Sequence, residues 1–124
     1  MGANDECVVC VVDDDEAVRD SLLVLLQSED LPVCAFASAA ELLASGIALE
    51  SVACFVIDVH MPGMGGLDLL RHLRASGVIA PIFMLTGAGN DALRREAMAA
   101  GATAVLAKPT GALLERIRTA IGLT

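Results

Sequence analysis

The chain has 124 residues and a formal net charge of −8. That is long enough for one compact domain with its own core, and the charge has the wrong sign for gripping nucleic-acid phosphates or an anionic membrane unaided. Apolar residues make up 56%, yet Trp and Tyr are absent and Phe occurs three times, so the core must be aliphatic.

The start, MGANDE, is too acidic for a secretory signal, and Glu6 stands where a myristoylation motif wants Ser or Thr. No apolar run approaches the roughly 20 residues of a spanning helix. A cytoplasmic protein is expected, formed by a single domain over 1–124 with its core in 6–122.

The first apolar run, CVVCVV at 7–12, predicts a strand. Cys7 and Cys10 spell C-x-x-C, a spacing used for metals and redox chemistry. Residues three apart on a strand point to opposite faces, so this pair is not expected to chelate one ion. All four cysteines are expected to be small buried hydrophobes. Helical spacing follows over 16–28, where Val18, Leu22, Leu25 and Leu26 share a stripe.

A second strand is predicted at 33–36 (VCAF), then a helix at 38–45 opened by a Ser38/Glu41 capping box and stopped by Gly46. The third strand, 52–57 (VACFVI), leads to a helix at 66–76 that carries Leu69, Leu70 and Leu73 and ends at Gly77. The fourth, 81–85 (PIFML), precedes a helix at 91–100 with Asn90 as N-cap and Gly101 as stop. A fifth strand, 103–106 (TAVL), precedes a helix at 111–121 carrying Leu113, Ile117 and Ile121. Five strand–helix units in a row predict an α/β fold: a parallel sheet covered by helices on both faces, with its ligand outside the carboxyl ends of the strands.

Those ends carry the chemistry. Asp13, Asp14 and Asp15 follow the first strand, Asp58 the third, Thr86 with Gly87 and Gly89 the fourth, and Lys108, the sole lysine, the fifth. Taken singly, each has a plain reading: Asp14 or Asp15 as helix cap, Thr86 as turn residue, Lys108 as surface residue. Taken together on one sheet edge, they crowd three carboxylates that cannot all ionise without compensation. A divalent cation supplies it, and Mg²⁺ suits so few protein carboxylates. A cation, a lysine and a hydroxyl around an aspartate can steady a transferring phosphoryl group, with Asp58 the nucleophile.

The segments VVDDDEAVRDSL, VIDVHMPGMGGLDLL, MLTGAG and EAMAAGATAVLAKP resemble, in this order, the receiver domains of two-component response regulators. The wording EAMAAGA resembles receivers of the FixJ type. The resemblance covers residues 6 to 122 and implies a flavodoxin-like doubly wound sheet of five strands, order 2-1-3-4-5, with five helices.

It implies that Asp58 accepts a phosphoryl group from a sensor histidine kinase or phosphotransfer protein. Asp14 and Asp58 would hold Mg²⁺ or Mn²⁺ directly, Asp13 through water, with the His60 carbonyl as a further ligand. Thr86 would move toward the phosphate and Lys108 pair with one of its oxygens, before a Lys108–Pro109 bond that is often cis in the family. The fourth helix, fifth strand and fifth helix would form the output face, through a homodimer or a docked partner, to control a transcriptional output domain or partner protein. On that face Arg94 and Arg95 could pair with Glu96 and Glu115. The implied activity is signalling, without turnover of an external metabolite.

Three positions depart from the pattern. Val105 stands where the family usually carries Tyr or Phe, a ring that turns inward when the threonine moves. Thr110 stands in place of a common Phe. His60 and Ala88 occupy positions that tune dephosphorylation in relatives. Two other function classes compete. One is a small haloacid-dehalogenase-like phosphohydrolase, which would use Asp13 as nucleophile and Asp15 as acid. The other is a receiver-like interaction module with impaired switching.

Overall fold

The computed structural model describes residues 7–87, 90–108 and 112–122. The expectations for residues 1–6, Ala88, Gly89, Thr110 and the Lys108–Pro109 bond lie outside these. Five strands form one parallel sheet in the order β2-β1-β3-β4-β5: β1 Val9–Val12, β2 Val33–Phe36, β3 Cys54–Asp58, β4 Ile82–Thr86 and β5 Ala104–Ala107. Helices α1 Glu16–Gln27, α2 Ala39–Ala44, α3 Gly66–Ala75, α4 Asp91–Ala100 and α5 Leu113–Ala120 alternate with them. A short 3-10 turn at Leu49–Ser51, which periodicity did not signal, precedes β3. None of the described helices is long and apolar enough to cross a membrane.

The three inner strands are buried along their whole length, as continuous apolar runs imply. The edge strands β2 and β5 are mostly half-buried, because each has one neighbour and less cover. Alternate residues divide the core into two layers. Cys10, Val12, Phe55, Ile57, Ile82, Met84 and Val105 pack with the leucines of α3 on one face; Val9, Val11, Val56, Phe83 and Leu85 pack with Leu22, Leu26, Leu113 and Ile117 on the other.

The helix ends follow their chemistry. Ser38 Oγ accepts from the Glu41 amide at 3.1 Å, while the Glu41 carboxylate accepts from Ala37 N–H at 3.0 Å, one residue earlier than the usual box. Asn90 Oδ1 accepts from Leu93 N–H at 2.8 Å. Gly101 ends α4 at φ +110°, a conformation that favours glycine. Arg74 braces this corner: its guanidinium donates to the carbonyls of Gly101, Val78 and Ala80 at 2.8–3.0 Å, tying α3 to the turns before β4 and β5.

The cysteine expectation needs correcting. The ladder starts at Val9, the chain bends at Val8, and Cys7 lies before the strand. Strand alternation therefore does not govern the pair, and Cys7 and Cys10 belong to the same apolar layer. Cys7, Cys10 and Cys54 are buried, whereas Cys34 on the edge strand is only half-buried.

The charges on α4 also differ from expectation. Glu96 pairs across to Arg71 of α3 at 2.7 Å, and Arg94 donates to the Val105 carbonyl at 3.0 Å.

Candidate functional site

Parallel register carries the polar strand ends to one edge. Asp58 is the last residue of β3 and lies opposite Leu85, beside Thr86 at the end of β4. Thr86 in turn pairs with Ala107, and its carbonyl accepts the Lys108 amide at 2.9 Å. On the other side Val12 pairs with Ile57, so Asp13 and Asp14 emerge next to Asp58. Asp13, Asp14, Asp58, Thr86 and Lys108 thus meet because five apolar runs align, although they span 96 positions of sequence.

Three of these groups are buried: Asp13 is 1% exposed, Asp58 4% and Thr86 2%. Asp14 is exposed, and His60 also turns its side chain to solvent two residues after Asp58. The Lys108 ammonium sits between two carboxylates, 3.1 Å from Asp13 Oδ2 and 3.2 Å from Asp58 Oδ1. Burial first, and the neighbouring Asp13 charge second, push the Asp58 carboxyl above its ordinary range, with Lys108 opposing them. Burial works against the charged form of Lys108, but Asp13 and Asp58 outweigh it and raise its pKa.

The loops hold this arrangement in ways that are invisible in a linear reading. Asp13 Oδ1 accepts the Asp15 amide at 2.9 Å, and Arg19, a turn into α1, donates to the Asp13 carbonyl at 2.7 Å. Asp15 caps α1 by accepting from the amides of Ala17 and Val18. Its carboxylate is therefore engaged as a cap, which weakens its assignment as a catalytic acid.

After Asp58 the chain doubles back so tightly that Gly66 N–H reaches the Val59 carbonyl at 3.0 Å. A Cβ on Gly66 would overlap the Asp58 carbonyl oxygen and stand 2.8 Å from Val59 Cα. Gly66→Ala should therefore displace the backbone that aims Asp58, at a cost of about 3 kcal/mol. Urea unfolding measures this directly; an unchanged midpoint would show that the loop yields freely. The run MPGMGG marks a glycine-dependent loop in the sequence, whereas nothing local marks Arg19.

A divalent cation can be tested against the donor set. Carboxylate oxygens of Asp13, Asp14 and Asp58 lie within 4.8 Å of one another. Asp13 Oδ2 is buried, and among the described residues the Lys108 ammonium, 3.1 Å away, is the charge that faces it. A hard, oxygen-seeking cation with room for waters matches such a cluster.

Comparison with known proteins agrees with this geometry. The family model described as "Response regulator receiver domain" matches residues 9–121. Among curated proteins, the transcriptional regulatory protein FixJ of Azorhizobium caulinodans is 43% identical over 116 residues, covering 92% of this chain and 54% of FixJ. The chain spans about half the length of curated relatives it matches. Among solved structures, a CheY-like receiver domain protein from Methanospirillum hungatei JF-1 superposes with a TM-score of 0.84 at 29% identity, covering 94% of each chain. The crystal structure of FixJ-N gives a TM-score of 0.81 at 33% identity, covering 95% of each chain.

Proposed function

The chain belongs to the response regulator receiver domain family, and on that premise we propose that Asp58 accepts the phosphoryl group that switches it. It is a receiver of two-component response regulators, and its relatives are signalling proteins, not enzymes of metabolite turnover. The donor in this reading is a phosphohistidine on a sensor kinase or phosphotransfer protein. An Asp58 carboxylate oxygen attacks phosphorus, the P–O bond forms, and the P–N bond to the imidazole breaks.

The observation that carries the reading is the Lys108 ammonium held 3.1 and 3.2 Å from Asp13 and Asp58. A compact ammonium there can move from carboxylate to phosphoryl oxygen without rebuilding the loop. Asp13, Asp14 and Asp58 would hold Mg²⁺ or Mn²⁺, with the His60 carbonyl as a further ligand. Such an ion supplies positive charge to the transferring oxygens. Thr86, at the end of the neighbouring strand, offers its hydroxyl to the phosphate.

The signal would leave through α4, β5 and α5, to a homodimer, a partner or an output domain. Val105 is buried in β5 and too short to swing as an aromatic ring does, so the relay must pass through backbone or helix movement. Arg94, which holds the Val105 carbonyl, already links α4 to β5.

The test is intact mass after incubation with acetyl phosphate and MgCl₂. A single phosphoryl adduct should appear, localise to Asp58, and vanish when EDTA replaces Mg²⁺. Absence of an adduct, with no binding of a beryllofluoride mimic either, would leave a silent interaction module. Sustained phosphate release from unrelated monoesters would revive the phosphohydrolase reading.

A further inference from the structure

All four cysteines lie toward the amino-terminal end of the sheet, away from the acidic edge, and three of them share one face. Cys10 and Cys34 lie opposite each other in the β1–β2 register and contribute to the same apolar layer. Cys7 precedes β1, and its Sγ folds forward to within 3.5 Å of the Val9 carbonyl. Val9 pairs with Val33, so that position brings the Cys7 thiol alongside Cys34, whose amide and thiol both act on it. Cys54 belongs to the opposite layer.

We propose that Cys7 and Cys34 form a reversible disulfide when the protein meets a hydroperoxide, making this end of the sheet a thiol modification site. The choice of partner rests on backbone freedom. Cys10 is fully buried on an inner strand, pinned to Cys34 on one side and Phe55 on the other. Directly opposed residues on neighbouring strands, about 4.8 Å apart, hold their Cβ atoms farther apart than the roughly 3.8 Å a disulfide prefers. Cys34 sits on an edge strand with one neighbour, and Cys7 lies before its ladder begins, so both can adjust.

The local chemistry favours Cys7 as the attacking thiolate. Hydrogen bonding from Cys10 foremost, against burial, and from Cys34 holds the Cys7 thiol below its ordinary range, while burial chiefly pushes Cys34 up. The Cys7 thiolate attacks one peroxide oxygen, the O–O bond breaks, hydroxide leaves and Cys7 becomes a sulfenic acid. The Cys34 thiol then attacks that sulfur, the S–S bond forms, and the sulfenic oxygen departs with the thiol proton as water. The two thiols lose two electrons in total and the peroxide is reduced to water.

The experiment titrates the whole chain with hydrogen peroxide and counts alkylatable thiols by intact mass, with and without dithiothreitol. Two of the four thiols should disappear and return on reduction. Cys54→Ala should behave identically, the Cys10→Ala/Cys54→Ala double variant should lose the same two thiols more slowly because Cys10 no longer helps to hold Cys7 as a thiolate, and Cys7→Ser and Cys34→Ser should each lose the reversible pair. Circular dichroism checks that each variant remains folded. A reversible pair that survives Cys34→Ser, or oxidation that only adds oxygen to single cysteines, would overturn the assignment.

Discussion

Asp58→Asn should unfold at higher urea than the parent protein in EDTA, by about 1–2 kcal/mol at neutral pH, while taking up no phosphoryl group. A stabilising change at the proposed phosphoryl acceptor looks contradictory until the charges are followed. Asp58 is buried beside Asp13, and the pull of Lys108 does not fully offset burial and like-charge repulsion. An amide keeps the shape, drops the charge, and offers N–H groups to neighbouring carboxylate oxygens such as those of buried Asp13.

The sign of the pH dependence follows from the same shift. Asp58 has a folded pKa above its reference of 3.8, so between those values the folded state binds more protons than the unfolded one. Its contribution therefore costs stability as pH rises from about 3.8 through the raised value, and the cost is complete above it. The gap between parent and Asp58→Asn should widen over that window and then stay level toward neutrality. Urea midpoints of both proteins across that range measure it. Equal stabilities throughout would mean that Lys108 already balances the site.

The doubly wound sheet was legible because the inner strands are apolar on both faces and the stops are chemical: Ser38, Asn90 and Gly101 each do at a helix end what their residue type suggests. The strand ends were legible too, since Asp58, Thr86 and Lys108 interrupt apolar runs. Strand order came from resemblance, because five similar runs do not say which is central; β2 and β5 read as buried and lie at the edges.

What escaped was set by contacts across distance. Cys7 and Cys10 fell into one layer because the ladder begins two residues after Cys7, a start fixed by Pro32, whose carbonyl accepts both the Val8 and Val9 amides. Arg74 and Arg19 act through main-chain carbonyls, and a carbonyl acceptor leaves no residue signature. Glu96 had nearby arginines on its own helix yet pairs with Arg71 on its neighbour, a choice made by helix packing.

Lys108→Ala should be the most costly change among the charged groups of the site without metal, and the one most rescued by it. The ammonium is the cation between two buried carboxylates, with 24% of its side chain exposed. Removing one partner of a buried ion pair costs about 3–5 kcal/mol, and the partial exposure of Lys108 brings the expectation to about 2–3 kcal/mol in EDTA. Its folded pKa is raised above 10.5, so this contribution is fully present below about that pH and fades only as pH climbs through the folded value.

Mg²⁺ should reverse the ranking. In the parent protein an entering cation must share Asp13 and Asp58 with the ammonium, whereas in Lys108→Ala it finds three carboxylates within 4.8 Å and no competing charge. Affinity for Mg²⁺ should therefore rise by about tenfold or more, equivalent to about 1.4 kcal/mol, and saturating Mg²⁺ should recover much of the lost stability through linkage. Lys108→Arg, which keeps a positive charge on a larger and more rigid head, should retain stability in EDTA without the gain in metal affinity. Titration calorimetry with MgCl₂ beside urea unfolding separates these outcomes. Unchanged affinity in Lys108→Ala would mean that the cation does not use the oxygens Lys108 now neutralises, and the assignment of Asp13 and Asp58 to the metal would have to be abandoned.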